Sequence, residues 1–187
     1  PEMSRGLGDV YKSQHQHGRV LAAAVDMETT AEVTLNGTNI IRVDSAGYRP
    51  VEIDLSALTI REEEKNTTAA LIRGVAAAFQ QRGYKLSGFD AKVKSTVLPG
   101  SGLSSSAAFE VLIGRILNGL FADNAVSVIE IAQIGQYAEN VYFSKPSGLM
   151  DQMASSVGGL VFIDFADPKR PIVEKIDHDF AHCGYCL

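Results

Sequence analysis

The segment Val97–Glu110, "VLPGSGLSSSAAFE", constrains the structure of this chain more than any other segment. Pro99, Gly100 and Gly102 interrupt regular structure, three consecutive serines follow, and an alanine-rich apolar run then begins. Glycines allow the backbone to turn several N–H groups toward one point, and a helix start adds unpaired N–H groups and a favourable dipole. This combination predicts an anion-binding loop between a strand and a helix, with phosphate as its usual ligand.

An ordinary helix N-cap is the alternative interpretation of the serines, but a cap needs only one serine side chain. Serine hydroxyls can also donate to phosphate oxygens or coordinate magnesium. We therefore expect the loop Pro99–Ser106 to present backbone N–H groups toward an open cleft, with Ser104–Ser106 at the start of the helix. The loop has no Gly-Lys-Ser/Thr sequence, so it is not a Walker loop.

The rest of the chain is typical of an α+β fold, because strands come first and helices follow. Residues 19–53 predict short strands, with Asn36-Gly37 as a hairpin-type turn, and the alternating residues 88–98 predict another strand. Helices are expected from Thr67 or Thr68 to Gly83, over about 104–120 and over about 127–142, where "KPSG" ends the last one. Residues 149–157 predict one or two helical turns, and residues 160–165 a strand.

Length and composition indicate one ordinary globular domain. The chain has 187 residues, of which 45% are hydrophobic and 21% charged. Its net charge of -5 gives no electrostatic reason to bind nucleic acid or an anionic membrane, so an anionic ligand must be held by local geometry. The sequence contains no apolar run of membrane-spanning length and no signal-peptide pattern, so we expect a cytoplasmic location.

A cluster of histidines and cysteines lies near the last residue, in "HDFAHCGYC". Its His178, His182, Cys183 and Cys186 match the number of ligands in a tetrahedral zinc site. However, the alternation in "AHCGYCL" predicts a strand, which would place the two cysteines on opposite faces. We therefore expect no metal site there.

Two motifs resemble those of a known enzyme family. "PGSGLSSSAAFE" resembles the second signature of the GHMP small-molecule kinases, and its triple serine is characteristic of the galactokinase branch. "AENVYFSKPSGLMDQMASSVGG" resembles the galactokinase segment that carries the catalytic aspartate. The resemblance extends from about His15 to the last residue. It implies a two-layer, ribosomal-protein-like N-terminal domain, a mixed sheet with helices on one face, and ATP and Mg²⁺ as ligands.

The resemblance also implies roles for individual residues. Asp151 in "GLMDQ" corresponds to the aspartate that contacts the C1 hydroxyl of the sugar and acts as the base, and the backbone of Gly148 lies against the sugar. Ser106 and Glu139 would lie near the magnesium ion. The ATP phosphates would be bound by Pro99, Gly100, Ser101, Gly102, Leu103, Ser104, Ser105 and Ser106. From the residues alone, Asp151 is also consistent with a helix cap and Glu139 with an exposed helix residue.

The geometry of phosphoryl transfer adds an expectation for Asp151. The attacking hydroxyl lies between its proton acceptor and the γ-phosphate, so Asp151 should face the serine loop across a cleft. With a sugar oxygen and a phosphate between them, the side chains should stand about 6–10 Å apart.

The chain departs from the family pattern at its first signature, Pro-Gly-Arg-x-x-x-x-Gly-Glu/Asn-His-Thr-Asp. Counting back from Gly18 places Arg5 on the signature arginine and Tyr11, Lys12 and Gln14 on the sugar-binding positions. These three side chains do not supply the carboxylate acceptors expected for sugar hydroxyls. Either this half of the sugar site is lost or the sequence omits residues before His15, and we favour omission.

The family's third motif and most of its second, ferredoxin-like domain have no counterpart in this sequence. We therefore expect residues 1–187 to be the N-terminal domain of a longer galactokinase and to be inactive alone. The expected reaction is ATP-dependent phosphorylation of galactose at C1. Two alternatives are another GHMP kinase with a different small-alcohol substrate and a non-catalytic galactose and ATP sensor that binds a partner protein.

Overall fold

Strands and helices occupy separate layers in the computed structural model, which describes residues 17–97 and 102–178. The strands are β1 (Arg19–Ala23), β2 (Thr29–Leu35), β3 (Ile40–Ser45), β4 (Val51–Asp54), β5 (Phe89–Ser95), β6 (Leu160–Asp164) and β7 (Ile172–Ile176). The helices are α1 (Thr68–Gln81), α2 (Ser105–Phe121), α3 (Val128–Tyr137) and α4 (Met150–Val157), and a short 3₁₀ helix spans Glu62–Glu64. The order of strands and helices along the chain confirms an α+β fold.

The larger sheet is mixed, with the strand order β2-β5-β3-β4. β3 and β5 are parallel, and the other two pairs are antiparallel. In β5, Phe89, Ala91 and Val93 are buried while Asp90 and Lys92 are exposed. This alternation directs one face of the sheet toward the helices and the other toward water, as the sequence predicts.

Helices α1 and α2 pack on the apolar face of this sheet, and α3 packs against both helices. Most of α1 is buried, from Ala70 to Phe79, and Gly83 follows its end with φ +88°. Large buried side chains from the three helices join those of β3, β4 and β5 in one core: Ile72, Val75, Phe79, Ile113, Leu117, Ile131 and Ile134. The core therefore holds the start of α2 at a constant place relative to the sheet.

A second, antiparallel sheet has the order β1-β6-β7 and packs against α4. Met153 of α4 and Val161, Ile163 and Phe165 of the β6 region are fully buried together. This smaller core positions α4, which carries Asp151, beside β1.

The expected hairpin at Asn36-Gly37 is wrong, although the turn itself forms with φ +68° at Gly37. β5 lies between β2 and β3, so the two strands that the turn connects are not neighbours. The turn passes over Gly88, where a Cβ would lie 2.4 Å from the carbonyl oxygen of Ile40. Turn residues specify the local chain reversal, whereas strand pairing is decided by which apolar faces meet the helices.

The helix predicted for residues 127–142 forms, but its hydrogen-bond pattern changes partway. It begins with a capping box, in which Ser127 and Glu130 each accept a hydrogen bond from the other's backbone N–H. After α3, the segment Ala138–Tyr142 is a π turn, in which Phe143 N–H donates to the Ala138 carbonyl at 3.0 Å. Single π turns within helices are frequent at functional sites.

Several sequence predictions concern residues outside the described ranges. They are Arg5, Tyr11, Lys12 and Gln14 of the first motif, Pro99, Gly100 and Ser101 of the serine loop, and His182, Cys183 and Cys186. Strand β7 is described but is not predicted from the sequence. No helix in the described ranges is long and apolar enough to cross a membrane.

Candidate active site

The described part of the serine loop lies at the start of a helix, as expected. Helix α2 begins at Ser105, and the preceding Ser104 has a left-handed backbone with φ +52°. Gly102 is also left-handed, with φ +79°. These two residues turn the chain immediately before α2, whose first-turn N–H groups have no partner inside the helix. The prediction that Ser104–Ser106 lie at a helix N-terminus is confirmed.

The hydroxyl of Ser104 is not used as a helix cap. No capping hydrogen bond from this side chain is found among the described residues. Ser104 Oγ instead donates to Asp151 Oδ2. The N-cap alternative therefore does not account for this serine, whose side chain is directed at the predicted catalytic residue.

Asp151 lies in the first turn of α4, one residue after the helix starts. Leu149 is the N-cap residue, so Asp151 is not a helix cap. Its carboxylate benefits from the positive end of the α4 dipole and accepts the Ser104 hydrogen bond. The structure thus brings together two predicted site residues that are 47 positions apart.

Ser104 and Asp151 lie on the wall of an open cleft of about 620 Å³. One side is formed by Leu21–Val25 of β1 and the following loop, and the other by α2 and α4. The volume is within the usual range of about 300–1,000 Å³ for small-molecule sites. Among the described residues, Ser104 and Asp151 line this cleft, whereas Ser106, Glu139 and Gly148 do not.

The separation of about 6–10 Å between Asp151 and the serine loop is expected with a sugar oxygen and a phosphate between them, and it stays a prediction. In this structure the side chains of Ser104 and Asp151 are in direct hydrogen-bond contact. A hydroxyl donor and a carboxylate acceptor that line the same cleft form a hydrogen bond when they are close enough. The left-handed backbone at Ser104 places its hydroxyl within hydrogen-bond distance of Asp151.

Ser106 and Glu139 also meet. Ser106 Oγ donates to Glu139 Oε1 at 2.9 Å, and Lys145 Nζ lies 3.0 Å from the same oxygen. Gln152 Nε2 donates to the other oxygen, Oε2, at 2.8 Å. Glu139 is only 2% exposed, so it is not the exposed helix residue of the alternative interpretation.

A second buried carboxyl group, that of Glu110, adjoins this cluster. Glu110 is fully buried on α2 and accepts a hydrogen bond from Gln152 Nε2 at 3.1 Å. Burial raises the pKa of Glu110 well above its usual value, and the negative charge of Glu139 raises it further. The Glu110 carboxyl group therefore holds its proton to higher pH than an exposed glutamate does.

The "KPSG" segment that precedes α4 is held by side chains of the preceding helix. Ser147 N–H donates to Asn140 Oδ1 at 2.7 Å, and Gln136 Nε2 donates to the Ser147 carbonyl at 3.0 Å. The next residue, Gly148, is buried. These bonds fix the backbone immediately before the helical turn that carries Asp151.

The oxygen atoms of Ser106 and Glu139 fit a magnesium ion that is bound together with nucleotide phosphates. Mg²⁺ prefers hard oxygen ligands and commonly uses one or two protein groups when phosphates complete its coordination. Within the described ranges, no group of three or more His, Cys, Asp or Glu side chains could hold a metal by itself. Ser106 and Glu139 are therefore candidate magnesium ligands that would need phosphate oxygens to complete the coordination.

Three polar residues of this region are not singled out by the sequence analysis: Glu110, Lys145 and Gln152. Glu110 follows Ser106 by four residues, so both lie on one face of α2, and this spacing is a signal that points to it. Gln152 adjoins Asp151 in the second motif. Lys145 lies in a loop and contacts Glu139 of the π turn. No periodic sequence pattern predicts a contact of this kind.

Comparisons with known proteins agree with this fold. Residues 70–159 match the GHMP kinases N terminal domain. The galactokinase of Streptomyces coelicolor is 33% identical over 178 residues, which cover 94% of this chain and 45% of that protein. The galactokinase of Bacillus subtilis is 34% identical over 148 residues, covering 78% of this chain and 38% of that protein.

Solved structures show the same architecture. The galactokinase of Lactococcus lactis complexed with galactose superposes with a TM-score of 0.77 and 25% identity, covering 88% of this chain and 43% of that chain. The mevalonate kinase of Methanococcus jannaschii shares the fold, with a TM-score of 0.70 at 17% identity over 90% of this chain and 52% of that chain. The chain spans less than half the length of the curated relatives quoted above. It has the fold of the GHMP kinase N-terminal domain, and galactokinases are among its relatives.

Proposed function

We propose that the protein containing this chain is an ATP-dependent sugar kinase that phosphorylates the C1 hydroxyl of galactose. The observation that carries the proposal is the contact of Ser104 with Asp151 on one wall of the cleft. It places a carboxylate directly beside the helix start that is suited to phosphate. In phosphoryl transfer, the proton-accepting carboxylate and the phosphate-binding helix start must be close enough for one acceptor hydroxyl to lie between them.

In the proposed reaction, the first-turn N–H groups of α2 and the loop hydroxyls bind the phosphate oxygens of ATP. Asp151 orients the C1 hydroxyl and accepts its proton as the C1 oxygen bonds to the γ-phosphorus. The bond between the γ-phosphorus and the bridging oxygen of ADP breaks, and the products are galactose 1-phosphate and ADP. Magnesium, held by Ser106 and Glu139, would neutralise part of the phosphate charge.

Ser104 would change partner when substrate binds. Its hydroxyl donates to Asp151 in this structure, and a sugar hydroxyl donating to the same carboxylate would take that position. The freed Ser104 hydroxyl could then donate to a phosphate oxygen. This exchange would separate the side chains of Ser104 and Asp151 and leave room between them for the sugar hydroxyl and the phosphate.

The relatives support galactose as the acceptor. The curated relatives quoted above are galactokinases, and the solved galactokinase of Lactococcus lactis is complexed with galactose. The buried backbone at Gly148 is part of the proposed sugar site. The proposal also assigns residues 1–187 to the N-terminal domain of a longer protein, and it includes a cytoplasmic location, where ATP is available.

The direct test uses the full-length protein with ATP, Mg²⁺ and a panel of acceptors, measuring ADP release and the position of phosphate in the product by NMR. We expect turnover with galactose and a product phosphorylated at C1. The matched control is 1-deoxygalactose, which lacks only the C1 hydroxyl and should give no turnover. Tight binding of galactose without turnover would support a sensor instead, and turnover of mevalonate but not galactose would support another GHMP kinase.

A further inference from the structure

Gln152 follows Asp151 in α4 but faces a different part of the molecule. Successive residues of an α-helix point about 100° apart, so neighbouring side chains diverge. Asp151 lines the cleft, whereas Gln152 is 1% exposed and lies among the buried carboxyl groups. One helical turn therefore carries the proposed base on one side and a buried amide on the other.

The amide nitrogen of Gln152 joins three structural elements. Its Nε2 donates to Glu139 Oε2 at 2.8 Å in the π turn and to Glu110 Oε2 at 3.1 Å on α2. A primary amide has two N–H groups, and both are used here. Gln152 thus ties α4 to the two elements that carry Glu139 and the serine loop.

The surroundings leave little room for this side chain to move. Gly135 of α3 faces it, and a Cβ at that position would lie 3.3 Å from Gln152 Cγ and 3.2 Å from Glu110 Cβ. With Oε2 bound to Gln152, the other oxygen of Glu139 is the one that accepts from Ser106. Gln152 therefore restrains the Glu139 carboxylate at Oε2, while Ser106 and Lys145 contact Oε1.

We propose that Gln152 is a positioning residue, which orients Glu139 toward Ser106 and fixes the helical turn of Asp151 relative to the serine loop. This inference rests on the proposed kinase function. Groups that orient a metal-binding or catalytic side chain through a hydrogen bond typically contribute about 10- to 100-fold to affinity or activity. Gln152 does not line the cleft, so its effect should fall on kcat and on the magnesium requirement, and not on binding of the sugar.

The test compares Gln152→Met with wild type in the full-length protein. Methionine is unbranched and of similar length but has no N–H donor. The matched control is Gln133→Met, which removes a glutamine from the neighbouring helix α3, where Gln133 Nε2 donates to the Lys169 carbonyl at 3.2 Å. We measure kcat, KM for galactose, the free Mg²⁺ needed for half-maximal ATP binding by calorimetry, and thermal unfolding.

We expect Gln152→Met to lower kcat by about 10- to 100-fold and to raise the required Mg²⁺ concentration about 10-fold, with KM for galactose changed less than about 3-fold. The Gln133→Met control should behave as wild type. If Gln152→Met fails to fold, Gln152→Asn takes its place, because its shorter amide does not span both carboxyl groups, and the same changes are expected.

Two results would overturn the inference. One is wild-type kcat and Mg²⁺ dependence in the folded variant. The other is a loss of activity that matches the loss of folded protein, since that would show a structural role alone. If the wild-type protein does not phosphorylate galactose, the proposed function fails, and the Mg²⁺ dependence of ATP binding still decides the role of Gln152.

Discussion

Ser104 combines an uncommon backbone with a directed side chain. A non-glycine residue at φ +52° is disfavoured by about 1–2 kcal/mol, because Cβ approaches the following carbonyl oxygen. Such conformations persist where the surrounding structure holds them, and they concentrate at functional sites. Here the conformation turns the hydroxyl away from the helix and toward Asp151.

Glu110 differs from the residues of the cleft because it is a buried acid with one oxygen, Oε1, that has no hydrogen-bond partner among the described residues. Its pKa is raised well above the ordinary value of 4.5, first by burial and then by Glu139. At a pH between the unfolded and folded pKa values of Glu110, the folded state therefore holds a proton that the unfolded state has released. The stability from neutral Glu110 is full below about pH 4.5 and is lost as pH rises through the folded pKa.

Replacing Glu110 with Gln should remove this pH dependence. The glutamine oxygen can still accept from Gln152, but the side chain has no charge to bury. We expect the free energy of unfolding of Glu110→Gln to exceed that of wild type by an amount that grows from acidic to neutral pH, as measured by urea unfolding. The exposed Glu63→Gln is the control and should follow the wild-type curve. An equal offset at every pH would contradict the assignment of a raised pKa.

The site residues could be predicted from sequence only where a motif contains them. Ser104, Ser106, Glu139 and Asp151 lie in two motifs, and the structure pairs them as Ser104 with Asp151 and Ser106 with Glu139. The role of Gln152 depends on contacts with two other elements. Such contacts follow from packing, which no local sequence pattern records.

At the scale of elements, the sequence predicts a strand or helix correctly where its apolar periodicity agrees with the residues that mark its ends. β5 alternates between buried and exposed residues, and α1 ends before Gly83. The order of strands could not be predicted from the Asn36-Gly37 turn, because β5 enters between β2 and β3 from far along the chain. The π turn Ala138–Tyr142 has the same apolar spacing as a continuing helix, so the sequence does not reveal it.

The close contact of α1 with the π turn gives a prediction about helix packing. A Cβ at Gly74 would lie 2.8 Å from Ala138 Cβ and 2.9 Å from Ala138 Cα, and the backbone atom has little freedom to move. Overpacking of this kind costs about 1–3 kcal/mol, which exceeds the roughly 1 kcal/mol that alanine gains over glycine in a helix. We therefore expect Gly74→Ala to lower the free energy of unfolding.

The matched control is Gly119→Ala, also inside a helix. Its Cβ would meet only Asn124 Oδ1, at 3.7 Å, which is an ordinary contact. We expect this variant to raise the free energy of unfolding by up to about 1 kcal/mol. Urea unfolding of both variants measures the effects. A stabilised Gly74→Ala protein would contradict the close packing of α1 on the π turn.

For the whole molecule, binding of an anionic nucleotide must depend on local geometry. The chain carries a net charge of -5, so the overall field opposes phosphate. The α2 start and its loop supply N–H donors and a favourable dipole where the two cores bring α2 and α4 together. The chain spans less than half the length of the relatives quoted, so we expect turnover from the longer protein.

The central claim is that Asp151 accepts the proton of the sugar hydroxyl beside the serine loop. The most direct test is the kcat of Asp151→Asn in the full-length protein, with ATP binding measured in parallel and the exposed Asp123→Asn as control. Asparagine keeps the size of the side chain and removes the base. We expect kcat to fall by about 10²- to 10⁴-fold while the Kd for ATP changes little. A kcat within a few-fold of wild type would remove Asp151 from the mechanism and contradict the account.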